Sequence, residues 1–154
     1  MFAEDGKIIT FFQINNKEVS MLEFDFTLID KDIPKKVYFK YEYNYILHNC
    51  IDYSAYLLIK NNDNTFFYEG VAIVEFYWFL INWYNKYIIG DIERFEFNTI
   101  EWTSPMLTFS KIDNDLWEID SEFANVEYPL IINSKEFDTA ITLLIQKLTK
   151  LLCP

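Results

Sequence analysis

From Val71 to Trp83 the chain reads VAIVEFYWFLINW, and only Glu75 and Asn82 interrupt an otherwise apolar and aromatic run. At helical spacing such a stretch has no polar face, and a helix that is apolar all round has to be covered on most sides. A membrane span takes roughly 20 residues, so this run is too short to be one, and it carries a carboxylate. It predicts a buried central helix over about residues 70–86, with the rest of the chain as its cover.

The cover shows the two-residue period of strands. Lys7–Ile14 reads as a short strand. In Met21–Ile29, Phe24, Phe26 and Leu28 oppose Glu23, Asp25 and Thr27. Val37–Leu47 places five apolar or aromatic residues after Val37 on one face, a long strand. Tyr53–Lys60 and Thr65–Glu69 flank Asn61-Asn62-Asp63-Asn64, residues that tolerate a left-handed backbone and so suit a hairpin. Beyond Ile88-Ile89-Gly90, Phe95 and Phe97 oppose Arg94, Glu96 and Asn98, with a break expected near Thr99. Met106–Ile112 and Leu116–Phe123 form a hairpin about Asp113-Asn114-Asp115. In its second strand Trp117, Ile119, Ser121 and Phe123 face one way, and Glu118, Asp120 and Glu122 the other.

Pro129 and Leu130-Ile131-Ile132 then lead into an amphipathic helix over about residues 135–152, with Ser134 as its N-cap. Phe137, Ile141, Leu144, Leu148 and Leu151 form its apolar stripe. The order predicts one α+β domain over residues 1–154: an antiparallel, curved sheet of about six to eight strands with two helices.

Aromatic residues make up 19% of the chain, which supplies buried area with few rotatable bonds and favours a rigid core or an adhesive surface. The net charge of −11 argues against direct contact with nucleic acid or an anionic membrane, and favours a cationic partner. The excess is local. Residues 91–127 carry −8 and residues 1–30 carry −4, whereas 31–90 balance and 128–154 carry +1. Glu118, Asp120 and Glu122 form a stripe without a basic residue among them, and Glu96, Asp113 and Asp115 lie in the same acidic stretch. These six are the candidate partner-binding residues.

Signs of chemistry are few. His48 is the single histidine, and with Cys50 it supplies two soft ligands, which do not close a zinc site. Nothing supports a triad built on His48. Three isolated glycines make no phosphate loop. Asp113-Asn114-Asp115 begins like a calcium loop but lacks the glycine and the distal glutamate. Acids abound, yet nothing singles out a glycosidase pair. Glu75 reads as a satisfied structural carboxylate. The expectation is a non-enzymatic protein with no cofactor and no metal. Cys50 and Cys153 do not make a disulfide framework, and MFAEDGKIITFF lacks the features of a signal peptide, so a cytoplasmic protein with free thiols is expected.

The hairpin LTFSKIDNDLWEIDSEF (Leu107 to Phe123), with its Trp117-Glu118-Ile119-Asp120-Ser121 centre, and the C-terminal helix carry a resemblance. The small, acidic, aromatic-rich layout resembles bacterial immunity proteins of polymorphic toxin and contact-dependent growth-inhibition systems. The resemblance spans roughly the last two-thirds of the chain and does not extend to one subfamily end to end. It implies a role, binding and blocking one cognate toxin with a basic surface, often a nuclease, and no catalytic set. Two other readings stay open. One is a DNA-mimicking or phage-type inhibitor of a DNA-binding protein, with carboxylates at phosphate-like spacing. The other is an assembly subunit that self-associates through tyrosines such as Tyr38 and those of Tyr41–Tyr45.

Overall fold

The computed structural model describes residues 21–29, 54–99 and 104–152. The strands expected at Lys7–Ile14 and Val37–Leu47, the break beyond Thr99, and His48, Cys50 and Cys153 lie outside them. The described residues form an α+β fold of seven strands and two helices. The strands divide into two antiparallel sheets where one curved sheet was expected. β1 (Leu22–Leu28), β2 (Ser54–Asn61) and β3 (Asn64–Ala72) make a three-stranded sheet. β4 (Phe95–Phe97), β5 (Leu107–Lys111), β6 (Leu116–Asp120) and β7 (Leu130–Asn133) make a four-stranded meander. Helix α1 (Ile73–Tyr87) joins the two, and α2 (Ser134–Leu152) closes the chain.

The β2–β3 hairpin turns on Asn62 and Asp63, at φ 53° and 69°. Two consecutive left-handed residues make the primed turn that matches strand twist, and asparagine and aspartate accept it. The register shifts between Ile59 and Lys60, leaving Phe66 unopposed on β3. That bulge breaks the alternation and lets Phe66 and Phe67 both point into the core.

Helix α1 starts three residues later than the apolar run suggested, because Gly70, Val71 and Ala72 still pair with β2. Ala72 offers no side-chain cap. Burial supports this end instead: Ile73, Val74, Glu75, Phe76 and Tyr77 are all buried. Coverage then thins, with Asn82, Asn85 and Lys86 exposed. The far end closes by a Schellman arrangement, in which Asp91 N–H donates to Lys86 O (3.0 Å) and Gly90 N–H to Tyr87 O (3.1 Å). Gly90 takes φ +93°, which a side chain would strain.

β7 corrects the reading of Leu130-Ile131-Ile132 as a lead-in. Ile131 pairs with Glu118 and points out, and Ile132 pairs with Trp117 and points in. The cap of α2 also moves by one residue. Asn133 Oδ1 accepts from Glu136 N–H at 3.0 Å, and Ser134 Oγ instead donates to Asn114 O at 3.1 Å.

Phe109 on β5 joins the layers. Its ring lies 5.8 Å from Phe24 of the first sheet, 6.1 Å from Trp83 of α1 and 5.4 Å from Phe137 of α2. Phe137 stacks on Trp117 at 4.3 Å, and Phe76 meets Phe97 edge-on at 5.1 Å. Each such pair adds about 0.5–1.5 kcal/mol beyond the area it buries. Polar ties reinforce the union. Asn125 N–H, in the β6–β7 connection, donates to Phe66 O at the edge of β3 (2.8 Å), and Lys147 of α2 meets Asp25 of β1 at 3.6 Å.

A seam of hydroxyls runs between the two helices. Tyr77 shares a hydrogen bond with Thr149 (2.6 Å), Tyr84 with Thr142 (3.2 Å), and Tyr87 donates to Asp138. Burial, helped by the Asp138 carboxylate, holds the Tyr87 hydroxyl protonated above the ordinary tyrosine range.

Candidate functional site

The meander buries one face and exposes the other. Phe95, Phe97, Leu107, Phe109, Trp117, Ile119 and Ile132 point inward. Alternation therefore sends Glu96, Thr108, Ser110, Glu118, Asp120 and Ile131 outward. The register sets them in rows across the strands. Glu96 lies opposite Thr108, which lies opposite Asp120; Ser110 lies opposite Glu118, which lies opposite Ile131. Glu96 and Asp120 therefore flank one threonine, and Glu118 sits one row away.

Of the six residues singled out in the sequence, three share this face on strands: Glu96, Glu118 and Asp120. Glu122 stands beside it and not on β6, which ends at Asp120. Ser121 ends the ladder there. Its Oγ donates to Met106 O (2.6 Å) and accepts from Phe123 N–H (3.0 Å), which turns the chain. Glu122 Oε2 accepts from Ser104 Oγ at 2.6 Å. Asp113 and Asp115 lie at the hairpin tip, where Asp113 Oδ1 accepts from Asp115 N–H (2.8 Å). Asp115 O accepts from Ser134 N–H (2.7 Å), so this tip is fastened to the start of α2. Those two acids shape a turn and do not extend the stripe.

The nearby cations are placed unequally. Arg94 precedes β4 and meets Glu96 at 3.4 Å, with both side chains about half exposed, a pair worth little to stability. Parity had already placed Arg94 on the face of Glu96; the strand order brings both beside the stripe on β6. Lys111 is drawn away, its Nζ lying 5.6 Å from the centre of the Trp117 ring. No described lysine or arginine is ion-paired to Glu118, Asp120 or Glu122 within 4.0 Å.

The face is also concave. A hollow of about 160 Å³ is lined by Arg94, Ser104, Thr108, Asp120, Ser121 and Glu122 among others. Arg94 also borders a hollow of about 230 Å³ between α1 and β4, where Lys86 and Glu93 are ion-paired at 3.6 Å. Ser121 and Glu122 border an open concavity of about 760 Å³ under the loop that ends at Tyr128. Sequence reading missed Thr108, Ser104 and Tyr128. Tyr128 is 78% exposed and sits just before Pro129, a position that pattern alone does not mark.

Elsewhere, Glu75 is 1% exposed in the first turn of α1 and does not stand without a partner. Among the described residues no group of three histidine, cysteine, aspartate or glutamate side chains could hold a metal ion. No described helix is long and apolar enough to cross a membrane.

No curated protein and no solved structure matches the chain. Residues 22–153 match the family described as "Domain of unknown function (DUF7878)". That match takes in both sheets, both helices and the acidic face, and the chain belongs to this family.

Proposed function

We propose that this chain is a non-enzymatic binding protein that neutralises a cationic protein partner through the outer face of its four-stranded sheet. The observation that carries the reading is the cross-strand row Glu96–Thr108–Asp120 beside Glu118 and Glu122, with Arg94 as the cation ion-paired there. A rigid sheet holds these carboxylates at fixed spacing, so their fields add toward solvent. Complementary fields raise association rates by roughly 10- to 1000-fold and lose that effect as salt screens them. The resemblance to immunity proteins supplies the class of partner: a toxin with a basic surface whose active site the bound chain would cover.

The test is kinetic. The tightest partner is captured from the native cell, and its association rate is then followed against ionic strength. With Glu118→Lys, Asp120→Lys and Glu122→Lys combined, the rate is expected to fall at least about tenfold at low salt, with its salt dependence flattened or reversed. An unchanged rate and salt slope in a folded variant would remove the acidic face from the function.

A further inference from the structure

We infer that Ile112, Leu116 and Ile131 form an apolar anchor point on the outer sheet face, which takes an aliphatic side chain framed by lysines or arginines on the protein partner. The inference rests on the binding reading above and names the side chains that the partner brings. Parity carries the outward set one row beyond Ser110 and Glu118, to Ile112 and Leu116. Ile112 N–H donates to Leu116 O at 2.9 Å, so these two lie opposite each other across the hairpin. Leu116 is opposite Asn133 and Glu118 is opposite Ile131, which puts Ile131 on the diagonal from Leu116, within side-chain reach. Ile112 is 51% exposed and Ile131 47%. Leu116 is half-buried, yet it does not pack against the core. Exposed isoleucines scattered singly mean little, but aliphatic residues that meet across adjacent strands of a wet face form a patch.

The surroundings of the patch decide what covers it. Glu118 stands on one side, and on the other the hairpin tip carries Asp113 and Asp115, both exposed. None of these acids is ion-paired to a described lysine or arginine within 4.0 Å. Lys111, next to Ile112 in the chain, has inward parity and lies against the Trp117 ring. An apolar centre with an acidic rim is complementary to an aliphatic centre with a basic rim. Apposed to a second copy of itself, the patch would set acids against acids, and nucleic acid would bring phosphates to them, so neither fits. Protein interfaces divide their work in the same way: a desolvated apolar centre holds the complex, and charges at its edge speed the encounter. The row Glu96–Thr108–Asp120 has no such centre of its own, and the patch lies two rows along the same face.

The probe is the peptide acetyl-Lys-Leu-Lys-Leu-Lys-amide, titrated into the full chain and followed by amide chemical shifts. Acetyl-Lys-Ser-Lys-Ser-Lys-amide keeps the charge without the aliphatic groups, and acetyl-Glu-Leu-Glu-Leu-Glu-amide keeps the aliphatic groups with the opposite charge. Saturable shifts at Ile112, Leu116, Glu118 and Ile131 are expected with the first, binding about tenfold weaker with the second, and none with the third. Ile131→Ser should weaken the first peptide about tenfold, and Ile112→Ser repeats the test from the neighbouring hairpin. Equal binding of the leucine and serine peptides, or unaltered binding in both isoleucine variants, would overturn the anchor. So would shifts centred on Ile88, Ile89 and Ile92, the exposed cluster that follows α1. A dimer in sedimentation velocity that Ile131→Ser abolishes would give the patch to a second copy and overturn it too. With the captured partner, Ile131→Ser is expected to raise the dissociation rate about tenfold and to leave the association rate and its salt dependence unchanged. If charge reversal slows association while both isoleucine variants leave dissociation unchanged, the anchor alone is wrong. If the isoleucine variants speed dissociation while charge reversal leaves association unchanged, the acidic-face reading is wrong and the apolar contact stands.

Discussion

The two sheets obey the same alternation and finish their outer faces in opposite ways. On the three-stranded sheet, Tyr56 and Tyr68 stack at 5.0 Å, and Tyr56 leans over Gly70. Two of its charges find partners, Asp25 with Lys147 and Lys60 with Asp63, and Glu23 lies opposite Lys60 in the register. On the four-stranded sheet, Lys111 turns to an indole and Arg94 serves Glu96, so Glu118, Asp120 and Glu122 keep no ion partner among the described residues. Alternation selects which residues face water and leaves their chemistry open. One face mixes both signs of charge and pairs part of it; the other holds a single sign and retains an electrostatic cost of a fraction of a kcal/mol per close like-charged pair. That uncompensated charge is what the proposed partner binding would draw on.

The largest effect would come from separating the two sheets. Phe109→Ala removes the ring that touches Phe24, Trp83 and Phe137, and should cost about 3–5 kcal/mol. Urea unfolding should remain a single transition, followed equally by tryptophan fluorescence and by circular dichroism. Two separated transitions would show that the sheets are independent units and that the contrast is between neighbours, not parts of one structure. Next in size, Tyr68→Ala should cost about 0.5–1.5 kcal/mol by removing a stacked exposed ring, with no change with salt. A loss that depends on ionic strength would mean that the first face also works by charge. The smallest effect has the opposite sign. Glu118→Gln should stabilise the fold by about 0.2–1 kcal/mol at low salt, a gain that fades at high salt. A destabilised variant would mean that Glu118 is structural.

Much of this architecture could be read from the chain. The Asn-rich hairpin, the parity of Phe95 and Phe97, and the stripe on α2 all follow from local pattern, which is where sequence speaks most directly. Failures cluster where a pattern changes inside an unbroken apolar run. Val71 and Ala72 finish a strand and Ile73 begins a helix, yet no polar or capping residue marks the change. Leu130-Ile131-Ile132 is too short to display its alternation. Glu122 was placed by continuing a parity that Ser121 ends with its own hydrogen bonds. The rows of the acidic face were out of reach for another reason. Glu96 and Asp120 meet across Thr108 only because β5 lies between β4 and β6, and strand order is a tertiary fact.

The seam between the helices has a mechanical consequence. The partners step along the two helices in opposite directions, Tyr77 with Thr149, Tyr84 with Thr142 and Tyr87 with Asp138. Hydrophobic attraction is non-directional, so the leucine and isoleucine stripe of α2 would tolerate sliding lengthwise with small loss. The hydroxyls would not. A slip of one turn breaks all three bonds together, so the seam works like the notches of a ratchet, with the grease supplied by the core. It indexes α2, and through Phe137 on Trp117 it indexes the strand that presents Glu118 and Asp120 on its other side.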